Sequence, residues 1–179
     1  MKFGIVTFPG SNCDYDAHHA ITDQLGETAV DLWHKAHDLE GSDVIILPGA
    51  LLRNASLKFL GDIVILRAEH CDTLFTNRYT PGQLLRMPVA HGDGRYTAED
   101  DTLDRLEQEG RVVFRYADAS GATTAEANPN GSMRSIAGIV SAEGNVLGLM
   151  PHPERAVDPL LGSGDGLALF QSLLARVSA

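Results

Sequence analysis

The order of apolar and helical segments predicts an α/β fold, in which a doubly wound, mostly parallel central sheet carries antiparallel additions. Short apolar runs at 3–8, 30–33 and 44–47 are separated by a helical pattern and by turns, and the third run, VIIL, is apolar throughout. Continuous apolar strands are typical of a parallel sheet that is buried on both faces. Closely spaced strands late in the chain are typical of antiparallel pairs, which need only short connections.

The first predicted strand leads into the first predicted helix. The strand ends at PGSN, residues 9–12, which is a turn sequence whose serine or asparagine side chain can cap the helix that follows. Ala17, Ile21 and Leu25 then recur at four-residue spacing. Because a sheet of this kind carries its site at the carboxyl ends of its strands, the loop at 9–14 is a candidate site element.

The second half of the chain is predicted to hold further strands and two helices. Alternation of polar and apolar residues at 51–59 fits a half-buried strand with a polar outer face. Asn130-Gly131 is a turn sequence typical of hairpins, and the two glycines of His91-Gly92-Asp93-Gly94 allow positive φ and a close backbone approach. The other predicted strands are 63–67, 84–90, 112–117, 136–141 and 145–150, and the predicted helices are 99–109 and the segment beyond Gly164.

Composition limits the classes of function. The chain has 179 residues, a length typical of one domain, and 44% hydrophobic residues, which suffice for a core. Its formal net charge of −10 argues against a nucleic-acid partner. Two cysteines, Cys13 and Cys71, provide neither a disulfide framework nor a zinc site. No run is long enough to span a membrane, so we expect a soluble, cytoplasmic protein without a resident metal.

The segment VLGLMPHPER, residues 146–155, contains a candidate catalytic pair. A short strand ends at a histidine that stands between two prolines, and a residue before proline is driven towards extended geometry. In an extended segment, His152 and Glu154 point to the same face, so the carboxylate can hold one ring nitrogen while the other serves as a general base. The alternative interpretation is a loop in which both side chains are merely solvated.

Five stretches, taken together, resemble one family. The chain is similar to the glutamine amidotransferase subunit of phosphoribosylformylglycinamidine synthase, the PurQ family of purine biosynthesis. The resemblance spans nearly the whole chain in the family's order. The stretches are FPGSNCD at 8–14, ALLRNASLKF at 50–59, PVAHGDG at 88–94, NPNGS at 128–132 and MPHPERAVDPLLG at 150–162.

The resemblance implies a flavodoxin-like, class I glutamine amidotransferase fold and a glutaminase that supplies ammonia to an ATP-dependent synthetase. His152 and Glu154 would then be the catalytic histidine and acid. His91 would line the glutamine site or the ammonia path, and Asn54 would lie beside the glutamine pocket or the partner interface. The implied partners are L-glutamine, a large synthetase subunit and a small accessory subunit. The subunit itself would need no cofactor, since ATP and Mg²⁺ are used by the synthetase.

The chain departs from the family in one place. The Gly-x-Cys-x-Gly nucleophile elbow and the glycine-rich oxyanion loop before it are absent, and ILPG at 46–49 runs directly into Ala50. A strand, a helix and the elbow make up a unit of roughly 30 residues or more. We therefore expect a single domain over 1–179 that lacks residues at the 49/50 junction.

Three alternatives to a glutaminase with an omitted segment stay open. In the first, the deletion is real and the chain is a catalytically dead scaffold that docks the synthetase. In the second, Cys13 replaces the missing nucleophile, because it lies at a helix N-terminus, which lowers a thiol pKa. In the third, the chain is a flavodoxin-like module that binds phosphate at Gly10-Ser11-Asn12, above the same helix N-terminus.

Overall fold

A computed structural model describes residues 1–7, 14–46 and 52–177. The first three strands form a parallel sheet in which β1 lies in the middle and pairs with β2 on one side and β3 on the other. The chain first adds β2 on one side of β1 and then crosses back to add β3 on the other side, which is the order of a doubly wound sheet. The strands are β1 Lys2–Thr7, β2 Thr28–Trp33 and β3 Val44–Ile46.

The predicted first helix is present but changes its pitch. It begins as α1, Asp14–His19, and continues as a π-helical turn, Ala20–Gln24. Its buried face carries Ala17 and Ile21, which are two of the three residues that predicted the helix. The face packs into the core against Phe3 of β1, so the four-residue spacing identified the right surface.

The later strands form an antiparallel sheet, in the order β10-β9-β8-β5-β6. Within the described residues these strands make a sheet of their own and do not extend the parallel one, so the fold is mixed α/β with one parallel and one antiparallel sheet. The pairing of β5 with β6 runs from Leu60–His91 to Arg67–Leu84. The strands are β5 Leu60–Ala68, β6 Leu84–His91, β8 Val112–Ala117, β9 Ile136–Val140 and β10 Leu147–Leu149.

The strand predicted at 51–59 is wrong beyond its first residues. A two-residue strand β4, Leu52–Arg53, pairs with β7, Asp93–Arg95, and the chain then turns. Leu57 has a φ of 58° and its N–H bonds the carbonyl of Asn54. The alternation of residue types was real, but asparagine competes for backbone hydrogen bonds and favours turns over strands.

Two turn predictions also need correction. Gly92 and Gly94 do not adopt positive φ, since β7 begins at Asp93 in extended geometry. Asn130-Gly131 does not close a two-residue hairpin, although Gly131 has a φ of 76°. Asn130 is buried instead, and its side-chain amide donates to the carbonyl of Gly94 at 2.7 Å.

Two further helices cover the sheets. Helix α2, Asp100–Gln108, lies within the helix predicted at 99–109. It buries Leu103 and Leu106 and is followed by Gly110 at a φ of 66°. Helix α3, Leu167–Val177, buries Leu169, Phe170 and Leu173. The largest core cluster joins residues of β1, the antiparallel sheet and α3, so one core underlies both sheets. In the described ranges, no helix is long and apolar enough to cross a membrane.

The start of α3 holds the segment after β10 in place through a close backbone approach. The N–H of Gly166 donates to the carbonyl of Ala156 at 2.7 Å, just beyond the 3₁₀ turn Pro153–Arg155. A Cβ atom at Gly166 would lie 2.2 Å from the carbonyl oxygen of Pro153. Only glycine therefore fits at this contact without moving the turn.

We predict that Gly166→Ala destabilises the protein by about 1–3 kcal/mol, because the new methyl group must push the Pro153 carbonyl away. For a chain of this size the melting temperature should fall by about 2–4 °C per kcal/mol. Thermal unfolding followed by circular dichroism measures the change. Gly61→Ala is the matched control, since its methyl group would meet only the Phe59 ring, at 3.5 Å. Equal melting temperatures for the two variants would contradict the close approach.

Candidate functional site

The catalytic pair predicted from sequence lies where the C-terminal segment crosses the end of β6. The N–H of His152 donates to the carbonyl of Pro88 at 2.8 Å, which ties this segment to the strand that also carries His91. The Nδ1 atom of His152 lies 2.6 Å from Oε1 of Glu154. Their side chains are only 13% and 11% exposed. The alternative of two solvated side chains is therefore wrong.

The contact between His152 and Glu154 is made by a different backbone from the one expected. His152 has φ −99° and ψ 88°, and Pro153–Arg155 form a 3₁₀ turn instead of an extended segment. Proline restricts the residue before it and is itself favoured at the first position of a helical turn. The turn folds Glu154 back onto the ring of His152, so the pair forms although the extended geometry was wrong.

The second ring nitrogen of His152, Nε2, is buried and has no hydrogen-bond partner among the described residues. Because a carboxylate only accepts, the Nδ1 atom that faces Glu154 carries the hydrogen, which leaves a lone pair on Nε2 of the neutral ring. This arrangement can take up a proton from a nucleophile and return it to a leaving group.

His91 and Asn54, both predicted near the substrate, form a second buried unit beside this pair. The Nδ1 atom of His91 lies 2.9 Å from Oδ1 of Asn54, and the two residues are 6% and 1% exposed. Burial, and next the charge of nearby His152, lower the pKa of His91. The Nε2 atom of His91 is also buried without a partner among the described residues. The structure thus brings His91, His152 and Glu154 into one neighbourhood. The fourth predicted residue, Asn54, is joined to them through its contact with His91.

An ion pair that the sequence analysis missed fixes the same segment to α1. Nε of Arg155 donates to Oδ2 of Asp16 at 2.8 Å, across 139 positions of sequence. No spacing rule predicts a contact between residues so far apart. The pair holds the 3₁₀ turn against the helix that follows the candidate site loop. The side chains are partly exposed, so the pair contributes at most about 1 kcal/mol and serves mainly to set geometry.

The one cysteine in the described ranges is a poor nucleophile. Cys71 is partly buried, and burial followed by the charges of Asp72 and Glu69 raises the pKa of its thiol. Cys13 lies outside the described residues, as do the 49/50 junction and the candidate phosphate loop at 10–12.

A pocket at the carboxyl end of β1 has Asp14, His18 and Asp31 in its lining. Its two carboxylates repel an anion, so this pocket is a poor site for phosphate. Across residues 1–7, 14–46 and 52–177, no group of three or more metal-binding side chains could hold a metal ion.

Comparison with known proteins identifies the family. The CobB/CobQ-like glutamine amidotransferase domain family matches residues 47–164. The curated subunit PurQ of phosphoribosylformylglycinamidine synthase from Chlorobaculum tepidum is 43% identical over 229 aligned positions, which cover 99% of this chain and 98% of that protein. The protein of the same name from Salinibacter ruber is 41% identical over 228 positions, covering 99% and 97%.

A solved structure agrees with this assignment. The structure titled PurLQS from Thermotoga maritima superposes on the chain with a TM-score of 0.83 and 33% sequence identity, and the match covers 98% of both chains. The chain belongs to the PurQ family of phosphoribosylformylglycinamidine synthase subunits, which carry a CobB/CobQ-like glutamine amidotransferase domain.

Proposed function

We propose that this chain is the glutamine amidotransferase subunit of a phosphoribosylformylglycinamidine synthase, and that it supplies ammonia from glutamine for purine biosynthesis. The observation that carries the proposal is the contact of 2.6 Å between His152 and Glu154, together with the buried Nε2 atom of the same ring, which no described residue bonds. This is the histidine and acid of a nucleophile–histidine–acid triad. The relatives that share the chain's family carry the name of that synthase subunit.

The chemistry follows from the two ring nitrogens of His152. Nε2 takes the proton of a cysteine thiol, and the thiolate attacks the side-chain amide carbon of glutamine. Backbone N–H groups stabilise the oxyanion of the tetrahedral intermediate. The carbon–nitrogen bond then breaks as Nε2 returns its proton to the nitrogen, which leaves as ammonia. Water hydrolyses the remaining thioester to glutamate, with His152 again as the base and Glu154 stabilising the imidazolium throughout.

The nucleophile belongs, in our proposal, to a segment missing between Gly49 and Ala50. An alignment of 229 positions with a chain of 179 residues leaves at least 50 positions without a residue here, which supports an omission of about the size of a strand, a helix and an elbow. Within the described residues β3 pairs only with β1, and its Ile45 side chain is 38% exposed. A further parallel strand would pair with that free edge and cover it.

Removal of such a strand from the middle of a sheet is costly, which favours an omission over a real deletion. Each buried N–H or carbonyl group that loses its partner costs about 1–3 kcal/mol. The second candidate function is nevertheless a catalytically dead scaffold that only docks the synthetase. What favours it is that no thiol of the described residues contacts Nε2 of His152.

The proposal includes the partners and cofactors of the complex. The subunit binds L-glutamine and assembles with a large synthetase subunit and a small accessory subunit. It needs no cofactor of its own, because ATP and Mg²⁺ act in the synthetase subunit. His91 and Asn54 belong to its glutamine site, and the complex is cytoplasmic.

We predict that Glu154→Gln, made in the protein that contains the missing segment, lowers glutaminase kcat about tenfold or more in the complex with the synthetase subunit. The amide can still bond Nδ1 of His152, but a neutral partner stabilises the imidazolium less than a carboxylate does. Release of ammonia from glutamine measures the effect. Glu143→Gln, in an exposed turn, is the matched control and should leave kcat unchanged. An unchanged kcat in Glu154→Gln would remove this carboxylate from the mechanism.

We predict that mass spectrometry of the natural protein gives a mass well above the 19.2 kDa of the 179-residue chain. The 179-residue chain itself should release no ammonia from glutamine above background, and the longer protein should do so. A natural mass of 19.2 kDa with no glutaminase activity establishes the dead scaffold. Activity of the 179-residue chain excludes that scaffold and requires a nucleophile among its own residues, for which Cys13→Ser is the test.

A further inference from the structure

We propose that Asn54 holds His91 in the tautomer with hydrogen on Nδ1, so that the bare Nε2 atom of His91 accepts a hydrogen bond from the leaving nitrogen of glutamine. This inference rests on the proposed function, since it concerns the same reaction. It assigns an acceptor role to His91 and a positioning role to Asn54.

The orientation of the Asn54 amide is determined by its four hydrogen bonds. Nδ2 donates to the carbonyl of Lys58 at 2.9 Å and to the carbonyl of His91 at 2.9 Å. Oδ1 accepts from the N–H of Gly94 at 3.1 Å and faces Nδ1 of His91 at 2.9 Å. A flipped amide would set its NH₂ group against the N–H of Gly94 and its oxygen against two carbonyl oxygens. The observed orientation is therefore the only one that satisfies all four contacts.

The tautomer of His91 follows from that orientation. Because the atom that faces Nδ1 is an acceptor, Nδ1 must be the donor, and in the neutral ring Nε2 keeps its lone pair. The ring cannot turn away from this contact easily. A Cβ atom at Gly94 would lie 2.2 Å from Nδ1 of His91, so the backbone of β7 lies directly against the ring.

The lone pair on Nε2 of His91 is buried and meets no donor in the part of the chain that the structure describes. His91 as a whole is 6% exposed. A buried polar atom without a partner costs free energy, and a ligand that supplies the missing hydrogen bond offsets that cost. The ligand group that belongs here is therefore a donor.

The neighbouring His152 restricts which donor this is. Its Nε2 is likewise a buried acceptor in the resting state, and the two rings lie close enough for their charges to interact, yet no hydrogen bond joins them. In the proposed reaction, Nε2 of His152 must meet the amide nitrogen of glutamine. That nitrogen carries two hydrogens and is the group that can donate to a second acceptor nearby.

The proposed contact orients the nitrogen for proton transfer. In the tetrahedral intermediate the nitrogen has two N–H bonds and one lone pair. Donation of one N–H to Nε2 of His91 turns the lone pair towards the protonated Nε2 of His152. The carbon–nitrogen bond breaks, the proton moves from His152 to the nitrogen, and ammonia leaves. His91 accepts a hydrogen bond throughout and gains no proton.

The kinetic test uses the protein that contains the missing segment, in complex with the synthetase subunit, and compares two substrates, L-glutamine and glutamate γ-methyl ester. Both form the same thioester, but the ester's leaving oxygen has no N–H to donate. His91→Phe, which lacks an acceptor, should lower kcat/KM for glutamine about tenfold or more and that for the ester less than about threefold. His91→Gln can place its carbonyl oxygen near the Nε2 position and should recover most of the glutamine activity. His37→Phe, at an exposed site, is the control.

The two substrates separate the possible outcomes. Equal loss with both substrates in His91→Phe, or no loss with either, overturns the inference, because a structural role does not distinguish amide from ester. If His91 instead accepted a hydrogen bond from the α-ammonium group of the substrate, His91→Phe would lower kcat/KM equally for both substrates, because both carry that group. Turnover of neither substrate by the unaltered complex is instead a failure of the proposed function.

A spectroscopic test does not depend on activity. In the unaltered protein, ¹⁵N NMR should show the ring of His91 with hydrogen on Nδ1 and a bare Nε2, and L-glutamine should shift the Nε2 resonance. Asn54→Ala should redistribute the hydrogen between the two nitrogens, and His91→Gln identifies the signal by its loss. Hydrogen on Nε2 in the unaltered protein overturns the inference even in an inactive chain. An unshifted Nε2 resonance while other resonances show that glutamine is bound overturns it as well, whereas no glutamine binding at all is a failure of the proposed function.

Discussion

The hydrogen bond from the N–H of His152 to the carbonyl of Pro88 is the contact on which the site depends. At 2.8 Å it joins the last part of the chain to β6, three residues before that strand ends at His91. It therefore sets the distance between the two histidines through a short, rigid stretch of backbone. The 3₁₀ turn that follows then needs only a local contact to bring Glu154 onto the ring.

The buried asparagines Asn54 and Asn130 extend this control to two loop segments. Asn54 ties the turn after β4 to β6 and β7, and Asn130 ties the segment before β9 to Gly94 and to the hydroxyl of Tyr116. Every polar atom of the Asn54 side chain has a partner, so the network fixes one arrangement at little cost in unsatisfied groups. Loops that would otherwise be free to move are thereby held at the site by side-chain amides.

The sequence predicted the periodic elements well and the loops poorly, for a physical reason. Burial imposes a period, so α2, α3 and the strands around β5 and β6 could be located from apolar spacing alone. The strand predicted after Arg53 was wrong because three of the four side-chain hydrogen bonds of Asn54 go to residues 37 to 40 positions away. The pair of His152 and Glu154 was found by its spacing and by family resemblance. Its 3₁₀ backbone depends on Gly166 and Asp16, which no local pattern connects to it.

The two histidines differ in the partner of Nδ1, and that difference divides their chemistry. His152 faces a carboxylate, which stabilises an imidazolium and so suits the ring that carries a proton in the proposed reaction. His91 faces a neutral amide in a buried position, and its pKa is lowered by burial and by its neighbour. A positive charge on His152 makes protonation of His91 less favourable, because two adjacent imidazolium ions would repel each other. The proposed mechanism thus assigns proton transfer to one ring and hydrogen-bond acceptance to the other, and each assignment follows from a single neighbouring side chain.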